Sequence, residues 1–285
     1  MSARKINIGL IGFGNVGAGM IKILRDKKAM LREKTGMEIV LKKVCDKDIS
    51  SKRGVSLDKS LLTANVSDIL DDPQIDIVVE LIGGINPARE FVTEALKKGK
   101  NVVTANKALL AHHGTDIFAL AQDRGKSVYF EASVGAGIPI IKSLREGLVA
   151  NNFAGVFGIV NGTTNFVLSR MSAENCGFLE ALKEAQKRGF AEKDPTLDIE
   201  GMDSAHKLVI LTYLCFGRMA RIGEVYVEGI SRVSLQDINY AKELGFEIKL
   251  LAIAKKEGDA LEVRVHPTLI SSGHLLASVN GVFNA

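Results

Sequence analysis

Short runs rich in isoleucine, leucine and valine alternate with amphipathic stretches along the first half of the chain. Residues 5–11 (KINIGLI) predict a buried strand, and the segment after it carries helical spacing through about Lys28. Further strands are predicted at residues 38–45 (EIVLKKVC), 76–82 (DIVVELI), 101–104 (NVVT) and 127–131 (SVYFE), with helical segments near residues 87–98 and 115–124. Repeated strand and helix predict a parallel, doubly wound α/β sheet.

After Glu131 the pattern changes. Residues 132–139 (ASVGAGIP) read as a glycine turn leading into a helix, and strands predicted at 154–160, 222–227, 247–255, 261–267 and 277–282 are mixed with longer helices. The chain therefore divides into residues 1–135 and 136–285, the second part being a mixed α/β domain. Asn161-Gly162-Thr163-Thr164-Asn165 follows the first of these strands. There Asn-Gly makes a turn and a threonine caps the helix at Phe166, so local chemistry accounts for the motif.

The densest chemistry lies in residues 185–207, AQKRGFAEKDPTLDIEGMDSAHK. Pro195 keeps Asp194 out of helical geometry, so the preceding helix ends near Gly189 and residues 192–198 form a loop. A new helix starts near Asp203, which can cap it, and Lys207 lies four residues on, on nearly the same face. The run LVILTYLCF that follows implies a core helix, where a lysine in the first turn is costly unless it is paired or faces a cleft. Carboxylates Glu192, Asp194, Asp198, Glu200 and Asp203 around one lysine suit a small molecule with an ammonium group and an oxygen that gains or loses a proton. A surface loop with an i,i+4 salt bridge is the alternative.

Composition narrows the class. The 285 residues carry a net charge of +4, small for this length, and the lysines and arginines fall in short groups, which argues against a nucleic-acid footprint. No apolar run reaches the ~18 residues of a membrane span. Cys45, Cys176 and Cys215 are far apart and without C-x-x-C spacing, which points to a reducing, cytoplasmic setting and away from disulfides or zinc.

Gly12-Phe13-Gly14-Asn15-Val16-Gly17, between the first strand and its helix, is G-x-G-x-x-G in the context a Rossmann-type dinucleotide site requires. The first glycine permits the turn, the second lets backbone approach a pyrophosphate, and the third lets helix pack on strand. Asp46, after the second strand, can hydrogen-bond the ribose hydroxyls of NAD, whereas Lys47, Lys52 and Arg53 can take the 2'-phosphate of NADP, so the choice stays open. Ligands of such sheets bind beyond the carboxyl ends of the strands, where Gly83, Gly84, Thr104, Asn106 and Lys107 fall.

In order along the chain, GFGNVG, TANKALLA at 104–111, EASVGAGIPII at 131–141, NGTTN at 161–165 and GFAEKDPTLDIEGMDSAHK at 189–207 resemble the motifs of homoserine dehydrogenase. The resemblance covers essentially the whole chain. It implies reversible hydride transfer between NAD(P)H and L-aspartate 4-semialdehyde, giving L-homoserine, in threonine and methionine biosynthesis. It further implies Lys207 as proton donor to the developing alkoxide, with Lys107 assisting at cofactor and substrate. Glu192 and Asp203 would hold the substrate ammonium, Asp198 would support the loop, and Gly189 would allow close approach to substrate and cofactor. The cofactor residues implied are Gly12, Phe13, Gly14, Asn15, Val16, Gly17, Asp46, Gly83, Thr104, Lys107 and Gly189. A sodium ion would lie on Glu131 and the carbonyls of Val134, Ala136 and Ile138, and the second domain would bind substrate and form a homodimer. Family members continue beyond the equivalent of Ala285, so a chain truncated inside a strand is expected. Two alternatives stay open: a nicotinamide enzyme working through a cysteine thioester, for which no cysteine lies near a recognisable base, and a nucleotide-binding sensor without turnover.

Overall fold

A computed structural model describes residues 4–51 and 53–282. Lys52 and the last three positions of the chain lie outside the described residues. The chain divides into two compact units, Met1–Ala136 and Gly137–Ala285.

The first unit runs β1 (Arg4–Ile11), α1 (Asn15–Asp26), α2 (Lys28–Thr35), β2 (Met37–Cys45), β3 (Leu62–Thr63), α3 (Ser67–Leu70), β4 (Ile77–Glu80), α4 (Ala88–Lys97), β5 (Asn101–Thr104), α5 (Lys107–Asp123) and β6 (Val128–Tyr129). All six strands are parallel, in the order β3-β2-β1-β4-β5-β6. The doubly wound sheet is as the alternation of strand and helix required. Chain order reverses between β1 and β4, which makes the crevice beyond their carboxyl ends the binding position of such a sheet. Ile8, Leu10, Val44 and Val79 fill the core between this sheet and the Ala18 and Ile21 face of α1.

Boundaries differ from expectation for local reasons. Beyond the helical spacing that ends near Lys28, a second helix, α2, continues to Thr35 and is closed by Gly36. Helix α5 begins eight residues before the expected start, because the side chain of Asn106 accepts the Leu109 N–H at 3.0 Å and caps it there. The strand expected at 127–131 is only two residues long, and Glu131–Ser133 turns as a 3-10 helix.

The second unit contains α6 (Ile140–Lys142), β7 (Gly155–Gly158), α7 (Gly162–Glu174), α8 (Phe178–Lys187), α9 (Thr196–Ile199), α10 (Met202–Phe216), β8 (Tyr226–Val227), α11 (Leu235–Glu243), β9 (Phe246–Glu257) and β10 (Ala260–Ser271). Its mixed sheet has the order β7-β9-β10-β8, antiparallel except where β8 meets β10. Helix α10 is buried from Asp203 through Thr212 apart from Lys207, as its apolar run predicted.

The strand expected at 277–282 is absent, and Leu275–Ser278 forms a 3-10 turn. Side chains take the backbone acceptors that a strand would have used. Lys249, 1% exposed in β9, donates to the Val279 carbonyl at 2.7 Å and to Asn280 Oδ1 at 2.9 Å. Asn165 Nδ2 donates to the carbonyls of Val279 at 3.2 Å and Gly281 at 2.9 Å. Ala277 and Leu276 meanwhile pack on Leu251, Ile253 and Ile270. The strand expected at 222–227 is likewise shortened to β8, since the Glu224 carboxylate folds back on the Arg221 N–H at 3.1 Å and curls Ile222–Glu224 into a 3-10 turn.

Candidate active site

In the first unit the site is built at the carboxyl ends of β1, β2, β4 and β5. Gly12 has φ 104°, and a Cβ there would lie 2.6 Å from the Leu81 carbonyl carbon. A Cβ on Gly17 would lie 2.2 Å from the Gly12 carbonyl oxygen, so strand and helix can approach this closely only at glycine. A Cβ on Gly14 would meet nothing within 4 Å. Gly14 is the N-cap of α1, with no side-chain cap and no acid in the first turn, so the helix amides face a space open to a phosphate. Asn15 and the exposed Val16 form that first turn.

Asp46 bridges the glycine loop and the segment after β2. Its Oδ2 accepts the Phe13 N–H at 2.6 Å and its Oδ1 accepts the Asp48 N–H at 2.9 Å. Arg53 is turned onto Asp48, at 3.1 Å from Oδ2, and stands 3.9 Å from Asp46. Lys47 is exposed.

At the ends of β4 and β5 a residue that sequence reading passed over organises two loops. Glu80 is fully buried and accepts from the Ile82 N–H at 2.9 Å, the Gly83 N–H at 3.3 Å and the Thr104 hydroxyl at 2.7 Å. Thr104 Oγ1 in turn accepts the Asn106 N–H at 3.0 Å, so its hydroxyl is committed to the protein. Asn106 Nδ2 donates to the Gly84 carbonyl at 2.7 Å, and Lys107, half-buried, opens α5 beside it.

In the second unit Lys207 and Asp203 lie one turn apart on α10, with Nζ 2.6 Å from Oδ2. The Lys207 side chain is 16% exposed and that of Asp203 7%. Lys207 also donates to the Val160 carbonyl at 2.6 Å, which accounts for two of the three protons of an ammonium. Asp203 does not cap α10. Gly201 holds the N-cap position, and the Asp203 carboxylate turns inward to Lys207 and to Asn161 Nδ2 at 2.8 Å. The same amide donates to Asp198 Oδ1 at 2.7 Å, while Thr163 Oγ1 lies 3.1 Å from Asp198 Oδ2 and 2.7 Å from the Phe190 carbonyl. Asn161 rather than a threonine caps α7, accepting the Thr164 N–H at 2.8 Å.

The acid-rich stretch thus separates into two groups. Asp203 pairs with Lys207, and Asp198 is linked to Asp203 through the Asn161 amide. Asp194 accepts the Thr196 N–H and hydroxyl and starts α9, the one-turn helix that replaces part of the expected loop. Those two bonds, the hydroxyl first, hold its carboxyl below the usual carboxylate range. Glu192 and Glu200 are exposed, and Gly189 lies at the turn after α8, where Gln186 holds the Glu192 carbonyl at 3.1 Å.

The homoserine dehydrogenase family profile matches residues 139–285, and the profile of the NAD binding domain of homoserine dehydrogenase matches residues 12–131. The chain belongs to the homoserine dehydrogenase family. A homoserine dehydrogenase of Bacillus subtilis is 45% identical over 99% of this chain and 65% of its own length. A homoserine dehydrogenase structure from Thiobacillus denitrificans is 48% identical with a TM-score of 0.93, covering 98% of this chain and 64% of that one. A hyperthermophilic archaeal homoserine dehydrogenase, solved in complex with NADPH, is 28% identical with a TM-score of 0.80 over 98% and 86% of the two chains. The chain therefore spans about two thirds of the length of the curated relative.

The thioester alternative loses its nucleophile within this family frame. Cys45 and Cys176 are buried, and burial raises both thiols. Burial pushes the Cys215 thiol up to about 11. None is an activated thiolate.

The residues implied for a sodium ion follow β6. Glu131 opens the 3-10 turn, Val134 is extended, Ala136 takes φ 45°, and the Ile138 carbonyl accepts the Ile140 N–H at 2.8 Å. Among the described residues no group of three or more His, Cys, Asp or Glu side chains is placed to hold a metal. A donor set of one carboxylate and several carbonyls suits a hard monovalent cation better than a transition metal.

The glycine loop generates a test. Gly17→Ala is expected to lower stability by about 1–3 kcal/mol, read as a lower thermal midpoint. Gly14→Ala meets open space, so it should change unfolding far less while weakening NADH or NADPH binding in a fluorescence titration. Unimpaired binding by Gly14→Ala would contradict the pyrophosphate position.

Proposed function

We propose that this chain catalyses the reversible conversion of L-aspartate 4-semialdehyde to L-homoserine with NAD or NADP, in a cytoplasmic threonine and methionine pathway. The observation that carries the reading is Lys207, an ammonium held by Asp203 and the Val160 carbonyl on a largely buried helix, with one proton left over for a substrate oxygen. A bound nicotinamide supplies or accepts the hydride. Lys207 gives its proton to the oxygen as the aldehyde is reduced and, when neutral, takes it back as homoserine is oxidised. Lys107 assists at the substrate oxygen and the cofactor. Glu192 and Asp203 hold the substrate ammonium, Asp198 supports their loop, and Gly189 admits the substrate.

The cradle at Gly14 and the Asp46 carboxylate fit a dinucleotide, and Phe13, Val16, Gly83 and Thr104 shape the backbone beside it. The ribose end offers both an acceptor, Asp46, and the cations Lys47 and Arg53, which suits either cofactor. Glu131 and the carbonyls of Val134, Ala136 and Ile138 would hold sodium. We assign dinucleotide binding to residues 1–135, and substrate binding and homodimer formation to residues 136–285. What supports the dimer is apolar surface at the two edge strands of the second unit's sheet, where Phe157 on β7 and Tyr226 on β8 are 51% and 59% exposed.

Lys207→Ala should reduce homoserine oxidation by roughly 10²–10⁴-fold with cofactor affinity nearly unchanged. The unsubstituted chain should oxidise homoserine faster as pH rises, because that direction needs the neutral amine. Retained turnover in Lys207→Ala, or a flat pH profile, counts against the role. Replacing sodium with tetramethylammonium should lower turnover, and an unchanged rate removes the ion. Phe157→Glu should shift sedimentation from dimer to monomer, and a monomeric unsubstituted chain ends the dimer reading.

A further inference from the structure

We propose that Asn161 is a positioning residue for Lys207, its side-chain amide setting the place of the ammonium through Asp203. This rests on the reading of Lys207 as the proton-transferring group. Asn161 is 5% exposed and uses its amide completely. Nδ2 donates to Asp198 Oδ1 at 2.7 Å and Asp203 Oδ2 at 2.8 Å, and Oδ1 accepts from the Thr164 N–H at 2.8 Å and hydroxyl at 3.0 Å. The amide has only one workable orientation. Turning it over would put a carbonyl oxygen between two carboxylates and an NH₂ against an N–H.

Three features tie this amide to Lys207. Asp203 Oδ2 is shared between Asn161 Nδ2 and Lys207 Nζ. The second acceptor of Lys207 is the carbonyl of Val160, the residue before Asn161. The N-cap bond to Thr164 anchors this pair of residues to α7, so the backbone and side-chain contacts to Lys207 come from one fixed point. A helix cap alone would accept aspartate or serine equally well. What selects asparagine is the need for one side chain that accepts at the cap and donates twice. Without the two donated protons, the Asp198 and Asp203 carboxylates repel, and Asp203 loses the contact that holds Oδ2 under Lys207.

The test uses Asn161→Asp, which keeps the cap acceptor and the shape, and Asn161→Ser, which keeps the cap and adds no charge. Two readouts are taken on the full chain: kcat and cofactor KM for homoserine oxidation, and the ¹⁵N-lysine ammonium signal of Lys207, identified by its loss in Lys207→Ala. Asn161→Ser is expected to melt near the unsubstituted chain and Asn161→Asp at a lower midpoint while still folded, because it sets a third carboxylate beside Asp198 and Asp203, and both should lose about tenfold to a hundredfold in kcat, the rate equivalent of one hydrogen bond to a charged group. Cofactor KM should stay within about twofold, since the loss falls on the chemical step. The Lys207 signal should move in both, whatever the turnover. An unmoved signal with unsubstituted kcat overturns the proposal and leaves Asn161 a helix cap. Unfolding of both variants overturns it in favour of a folding role. Full turnover in Lys207→Ala would instead remove the reading beneath it, which separates the two failures.

Discussion

The ion pair between Lys207 and Asp203 is the constraint around which the second unit is arranged. Both side chains sit on a largely buried helix, and removing two charges from water costs several kcal/mol per ion unless further hydrogen bonds compensate. The Val160 carbonyl and the Asn161 amide provide them. Those contacts tie the segment after β7, the cap of α7 and, through Asp198, α9 to α10. A charged group this confined, with one donor left over, has a directional chemistry that a solvated lysine lacks.

The first unit solves a related problem with carboxylates at strand ends. Asp46 and Glu80 each collect backbone N–H groups from a loop that the sheet cannot satisfy. Glu80 additionally joins its loop to the one after β5 through Thr104, and Asn106 closes the same junction from the other side. The loops at these strand ends are thereby hydrogen-bonded to the strands and to one another, which suits a site where positions matter to a fraction of an ångström.

Elements with a strong local signature were legible in the chain itself. The strand at Asn101–Thr104 and the glycine turn between β1 and α1 need no tertiary information, because apolar runs and glycine spacing dictate them. The pairing of Lys207 with Asp203 followed from helical spacing alone. Asn161 was visible only as a turn residue, since its role depends on Asp198 and Asp203, 37 and 42 positions away. Glu80 read as part of an apolar strand. The segment 277–282 has strand composition, but Lys249 and Asn165 claim its carbonyls from distant elements. Helical spacing set Asp203 apart from the other acids at 192–203, and only packing separates Asp198, which shares the Asn161 amide with it, from those that bond within a turn or face solvent.

The most direct measurement is a structure of this chain with homoserine and an oxidised nicotinamide cofactor bound. The account predicts the homoserine hydroxyl oxygen within hydrogen-bond reach of Lys207 Nζ, about 2.6–3.2 Å, with the Asp203 and Val160 contacts retained. A hydroxyl bound elsewhere while Lys207 keeps only its protein partners would contradict it.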